Sequence, residues 1–82
     1  MKITNAIKKL EKSGFTVTQN GQLYTGRKAG INKVVEFSRN GRSEDATCIG
    51  FRHVDDHNDS MTDYCATLFC NSLTQAIKCA QS

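Results

Sequence analysis

Six soft or borderline metal ligands stand in the second half of this 82-residue chain: Cys48, His53, His57, Cys65, Cys70 and Cys79. Zinc takes sulfur and imidazole nitrogen in tetrahedral sets, and structural sites usually offer those ligands in tight pairs. His53-x3-His57 and Cys65-x4-Cys70 are tolerably spaced, yet there is no Cys-x2-Cys pair. His53 also falls in a strand pattern, whereas Cys79 falls in a helical one. No metal centre is expected; the cysteines read as small buried hydrophobes and the histidines as surface imidazoles. With no secretory signal ahead of them, the four cysteines are expected to be reduced thiols.

Other chemistry can be sketched with the same residues. Cys48 or Cys65 with His53 or His57 and an aspartate would make a nucleophile, a base and an orienting group. Such a sketch needs a depth of desolvated pocket that so short a chain can hardly supply. The run Asp55-Asp56-His57-Asn58-Asp59-Ser60 begins as a calcium loop does, with oxygen ligands at alternate positions. It has no Gly at the sixth position and no Glu at the twelfth, so it reads as a solvated acidic loop. The expectation is a protein with no catalytic residue, no cofactor and no enzymatic activity.

Charge is the more informative pattern. Residues 1–43 hold nine Lys/Arg against two Glu, and residues 44–82 hold two Lys/Arg against six Asp/Glu. The halves are therefore +7 and −4, which sum to the net +3 of the chain. Sorted charge of this kind steers and orients partners without chemistry. Two surfaces compete for the role. Asp55, Asp56, Asp59 and Asp63 beside Tyr64 form an acidic stretch with an aromatic anchor, suited to a protein or a protein–nucleic acid complex. Arg27, Lys28, Lys33, Arg39 and Arg42 gather at hairpin ends, with Lys8, Lys9 and Lys12 on a helix face and Tyr24 or Phe37 for stacking, as nucleic-acid binding requires.

The elements that carry these residues are well punctuated. Ile3, Ala6, Ile7 and Leu10 recur at helical spacing, and Ser13-Gly14-Phe15 supplies a stop in which Phe15 folds back on Leu10. From Phe15 the period becomes two, up to Asn20-Gly21, a hairpin signal. Gln22 to Arg27 returns, Lys33 to Arg39 is a β-branched and aromatic strand, and Asn40-Gly41 marks another turn. Ala46 to Val54 alternates as a further strand, with Gly50 as a candidate bulge. Asp55 to Asp63 is a loop. Tyr64 to Cys70 is either a short edge strand or an extended segment crossing the core. Ser72-Leu73-Thr74-Gln75 is a capping-box pattern, and Leu73, Ala76, Ile77 and Ala80 repeat the helical stripe.

The order predicts one α+β domain over residues 1–82. It is a two-layer sandwich in which an antiparallel sheet of three or four strands carries both terminal helices on one face. No apolar run approaches the ~18 residues of a membrane span, so a soluble, cytoplasmic protein is expected.

Three families resemble parts of the chain. Ile7-Lys8-Lys9-Leu10-Glu11-Lys12-Ser13-Gly14-Phe15 resembles the opening of the small HicA-type toxins, which cleave RNA. Those place a histidine just after the turn glycine, where this chain has Gln22-Leu23, so the resemblance implies at most a degenerate, RNA-binding relative. The helix–three strands–helix order is similar to that of double-stranded-RNA-binding domains, whose second helix starts with a lysine cluster; here Asn71-Ser72-Leu73-Thr74-Gln75 stands instead.

The broader resemblance is carried by Cys48-Ile49-Gly50-Phe51-Arg52-His53-Val54, the Asp55 to Asp59 loop, Thr62-Asp63-Tyr64 and Asn71-Ser72-Leu73-Thr74-Gln75-Ala76-Ile77. Together they resemble a large polyvalent protein-associated domain of phages and conjugative elements. That family implies a mobile-element setting and no reaction. The resulting expectation is a non-enzymatic accessory protein acting by surface binding, for instance as an inhibitor of a bacterial defence complex in the manner of anti-CRISPR proteins.

Overall fold

The computed structural model describes residues 1–54 and 68–82 of the chain. Its first helix, α1 (Ile3–Lys12), buries Ile3, Ala6 and Leu10, the inward stripe of the heptad-like pattern. No side chain caps its start. Instead the Ile3 N–H donates to the Glu44 carbonyl at 2.7 Å, and Lys2 bridges Asp45 as an antiparallel pair, so distant backbone satisfies the exposed helix end.

The helix stop follows the sequence closely. Ser13 is the C-cap, Gly14 takes φ +92°, the Gly14 N–H donates to Glu11 O and the Phe15 N–H donates to Leu10 O, both at 3.0 Å. These are the two bonds of a Schellman motif, and the accompanying apolar contact joins Leu10 and Phe15, both buried.

Five strands follow: β1 (Thr16–Asn20), β2 (Leu23–Arg27), β3 (Lys33–Arg39), β4 (Ala46–His53) and β5 (Leu68–Phe69). They pair in sequence order, each antiparallel to the next. The sheet thus has one strand more than the three or four expected. The addition is the short edge strand β5, drawn from the end of the Tyr64 to Cys70 stretch; Tyr64 to Thr67 lie outside the described residues.

The first hairpin turns one residue later than Asn20-Gly21 suggests. Asn20 still pairs with Leu23, so the two loop residues are Gly21 and Gln22, with φ +63° at Gly21. Glycine at the first loop position is what a type II′ turn requires.

The bulge is also displaced. Gly50 is regularly paired with Glu36, and the register slips instead between Glu36 and Ser38, where Cys48 and Ile49 oppose Phe37. Cys48 adopts φ +53° there, a left-handed conformation that costs a residue with a Cβ about 1 kcal/mol. Cys48→Gly is expected to raise the unfolding free energy by about 0.5–1 kcal/mol, read as a higher urea midpoint at unchanged slope; a lower midpoint would refute the strain.

Helix α2 (Leu73–Gln81) starts at Ser72, whose hydroxyl accepts from the Gln75 N–H at 3.2 Å. The return bond of the expected capping box is shifted by one residue: Gln75 Oε1 accepts from the Asn71 N–H at 3.1 Å. Leu73, Ala76, Ile77 and Ala80 are buried, as their spacing predicts.

Both helices lie on one face of the sheet, giving the expected α+β sandwich. Their apolar stripes meet Tyr24, Val35 and Phe37, with Ile49 and Phe51 at the margin. A close approach is made at Gly26, where a Cβ would stand 3.3 Å from both Leu10 methyls, so the missing side chain lets α1 settle onto β2. Lys9 of α1 bonds the Thr74 hydroxyl of α2, and the Gln81 amide donates to Ser13 O at 3.4 Å. These two bonds set the helices side by side.

Candidate functional site

Alternation along the strands puts Thr25, Val34, Glu36 and Arg52 on the sheet face away from the helices. The register agrees, since Thr25 pairs with Glu36 and Val34 with Arg52. All four are buried. At their centre Arg52 Nε donates to Glu36 Oε2 at 2.7 Å, with the two side chains only 5% and 7% exposed. Burying opposite charges in this way requires close pairing, because an uncompensated charge at such depth costs several kcal/mol. Among the described residues, no buried side-chain nitrogen or oxygen lacks a hydrogen-bond partner.

Sequence reasoning passed over this pair. Its signal was present: Glu36 is the single charge within Val34-Val35-Glu36-Phe37, and Arg52 stands within Ile49-Gly50-Phe51-Arg52.

The five basic candidates do not form one patch. Lys33 and Arg39 are the two ends of β3, which separates them by about 20 Å at the usual rise of an extended strand. At one end of the sheet, Arg27 Nη1 donates to Thr18 Oγ1 at 3.1 Å and Lys28 Nζ lies 5.8 Å from the Phe15 ring centre, beside Gly14. Lys33 Nζ donates to the carbonyls of Cys79 and Ser82 at 3.3 and 2.9 Å, which places its charge on the negative end of α2. At the other end, Arg39 Nη2 donates to the Tyr24 hydroxyl at 2.7 Å and Nη1 to Ser43 O at 3.1 Å, while Arg42 is exposed.

Tyr24 and Phe37, considered as stacking platforms, are core residues. They stack on each other at 5.1 Å with rings 2° from parallel, and a nucleobase cannot reach either of them.

Asp55, Asp56, Asp59, Asp63 and Tyr64 lie outside the described residues, as do His57 and Cys65. The flanks of that stretch are well placed, however. The Val54 N–H donates to Asn32 O at 3.0 Å, and Leu68 pairs with Phe51. Lys33 pairs with His53 one residue before Val54. Val54, the last described residue before the acidic stretch, therefore sits at the same end of the sheet as Arg27, Lys28 and Lys33.

Among the described residues, no three His, Cys, Asp or Glu side chains gather as a metal site would require. Cys48 is exposed, and Cys70 and Cys79 are half-buried, so none of the three is the buried hydrophobe that composition suggested. The Cys70 thiol is pushed up from its usual pKa, first by burial and then by the neighbouring Cys79. No described helix is long and apolar enough to cross a membrane. No family model, curated protein or solved structure matches the chain.

Proposed function

We propose that this protein acts by surface binding to a macromolecular partner, without chemistry of its own, through the acidic stretch Asp55, Asp56, Asp59 and Asp63 with Tyr64 as aromatic anchor. The observation that carries the reading is the anchoring of that stretch. In the sequence, four aspartates fall within nine positions between Val54, whose N–H is bonded to Asn32 O, and Leu68, which is paired in the sheet. A dense negative segment with fixed ends can imitate a run of phosphates toward a basic protein groove. A partner that normally holds nucleic acid fits that chemistry. The resemblance of the second half to a phage and mobile-element domain supplies the setting, in which inhibition of a bacterial defence complex is one such role.

Reversing Asp56 and Asp59 together to lysine is expected to weaken capture of the partner by at least about tenfold, each tenfold corresponding to ~1.4 kcal/mol. Affinity capture from host lysate, with the wild-type and reversed chains as baits and RNA as competitor, reads this directly. Equal capture by both baits would overturn the reading.

A second reading, nucleic-acid binding, has one observation in its favour. Lys8 and Lys12 are exposed on α1, and Lys28 reaches to within 3.1 Å of the Cβ position of Gly14, just past the end of that helix. A salt series against random duplex DNA separates the two, since each neutralised phosphate adds about 0.9 to the log–log slope. The split of the basic residues between two ends of the sheet limits how many phosphates a single duplex could meet.

A further inference from the structure

We propose that Cys70 and Cys79 are a redox-responsive thiol pair that closes to an intrachain disulfide by exchange with a low-molecular-weight disulfide of the glutathione type. The geometry begins with the strand–helix junction. Cys70 follows β5 and is fixed by its N–H, which donates to Ile49 O at 2.9 Å; its thiol sits 3.8 Å from Leu68 O. The next N–H, that of Asn71, donates to the Gln75 side chain at 3.1 Å, which draws this connection against one stripe of α2. Gln75 and Cys79 are four apart on that stripe, so their Cβ atoms are about 5–6 Å from each other.

Cys70 thus lies at the foot of the stripe and Cys79 one turn above Gln75. Cys79 lies near enough to Cys70 to disfavour ionisation of its thiol, by charge and by a side-chain hydrogen bond. Both side chains are half-buried and unbridged, reachable by a small disulfide, and Cys48 is the only other described cysteine, exposed on the bulge.

The exchange balances without any further reactant. The Cys79 thiolate attacks one sulfur of the disulfide RSSR, forming a Cys79–S–S–R bond and expelling RS⁻, which takes up the proton that Cys79 gave up. The Cys70 thiolate then attacks the Cys79 sulfur, forming the Cys70–Cys79 bond and expelling the second RS⁻, protonated in turn. Two electrons pass from the protein to RSSR, which leaves as two RSH. Because its surroundings raise the pKa of Cys70, the second step speeds up as pH rises. The product ties the β5–α2 connection to the last turn of α2. This inference is independent of the partner-binding reading.

The test incubates the full chain with a series of reduced and oxidised glutathione, quenches it in acid, alkylates free thiols and maps the peptides. The expected product is a linked pair of Cys70 and Cys79 peptides about 2 Da lighter than the two reduced peptides together, with Cys48 and Cys65 alkylated or carrying glutathione. Cys70→Ser is expected to stop at a glutathione adduct on Cys79, and the Cys48→Ser/Cys65→Ser chain is expected to close as the wild type does. A map that joins either cysteine to Cys48 or Cys65, or that leaves both alkylatable while Cys48 is modified, would overturn the proposal. Should Cys70→Ser lose its native circular dichroism, the wild-type map alone decides between these outcomes.

Discussion

Glu36→Ala is expected to lower the unfolding free energy by about 3–5 kcal/mol, a drop in Tm on the order of 15–30 °C for a domain of this size. The cause is not the loss of attraction alone. Arg52 is 4% exposed as a residue, and its Nε is bound to Glu36 at 2.7 Å. Without the carboxylate the guanidinium stays at the same depth and loses the charged partner of its Nε. The chain must then either keep that weakened cation buried or open this face of the sheet to water.

Replacing both partners separates these contributions. The Glu36→Leu/Arg52→Met chain removes the stranded charge along with its counterion, and exchanges of that kind are commonly neutral or stabilising by about 1–4 kcal/mol. Urea unfolding of the two single variants and the double variant completes a double-mutant cycle. A loss below about 1 kcal/mol for Glu36→Ala would show that the buried guanidinium does not depend on this carboxylate, and the pairing argument would fail.

Phe37→Ala is expected to cost about 3–5 kcal/mol on the opposite face of the same strand. Phe37 is fully buried, stacked on Tyr24 at 5.1 Å, and surrounded by the apolar stripes of both helices. Truncation leaves a cavity and removes the stacking partner of Tyr24. The damage should spread along a specific path. The Tyr24 hydroxyl receives a hydrogen bond from Arg39, whose other nitrogen holds Ser43 O in the β3–β4 loop. That loop in turn supplies the Glu44 carbonyl that satisfies the first N–H of α1. Amide exchange at Ile3 and Ser43 should therefore quicken in Phe37→Ala more than in Phe37→Leu, which keeps most of the volume. Equal protection in both variants would argue that the loop and the stack are uncoupled.

Much of this architecture was legible in the sequence because its signals are local. Ser13-Gly14-Phe15 specifies a helix stop within three residues, and Ser72 with Gln75 specifies a helix start within four. The apolar stripes of α1 and α2 need no knowledge of their neighbours. Register, by contrast, is negotiated between strands. Gly50 looked like the bulge, yet the pairing of β3 with β4 puts the extra residue at Cys48, a choice visible only when both strands are aligned. The first turn moved by one residue for a similar reason, since Asn20 is retained in the ladder by Leu23.

The candidate surfaces were less legible. Arg27 and Arg39 are both hairpin-end residues in the sequence, but the direction of β3 sends them to opposite ends of the sheet. Lys33 looked like a free cation and instead neutralises a helix end made by residues more than forty positions later. Composition could count charges; it could not say which already had partners. The Glu36–Arg52 pair shows the same limit from the other side, because two solitary charges in apolar strands mean little until the register brings them together.

The strand order has a kinetic consequence. When each strand pairs with the one that precedes it, ladder contacts span short stretches of chain, and the entropy lost on closing each loop is small. Such a sheet can zip up hairpin by hairpin, on a timescale set by local turns rather than by a search for remote partners. The helix layer breaks this sequence. Residues 73–81 supply Leu73, Ala76, Ile77 and Ala80 to a core whose other buried members come from residues 3–37. Until α2 docks, the part of that apolar face which α1 does not cover stands open to solvent, and a nascent fold in that state is prone to sticking to others.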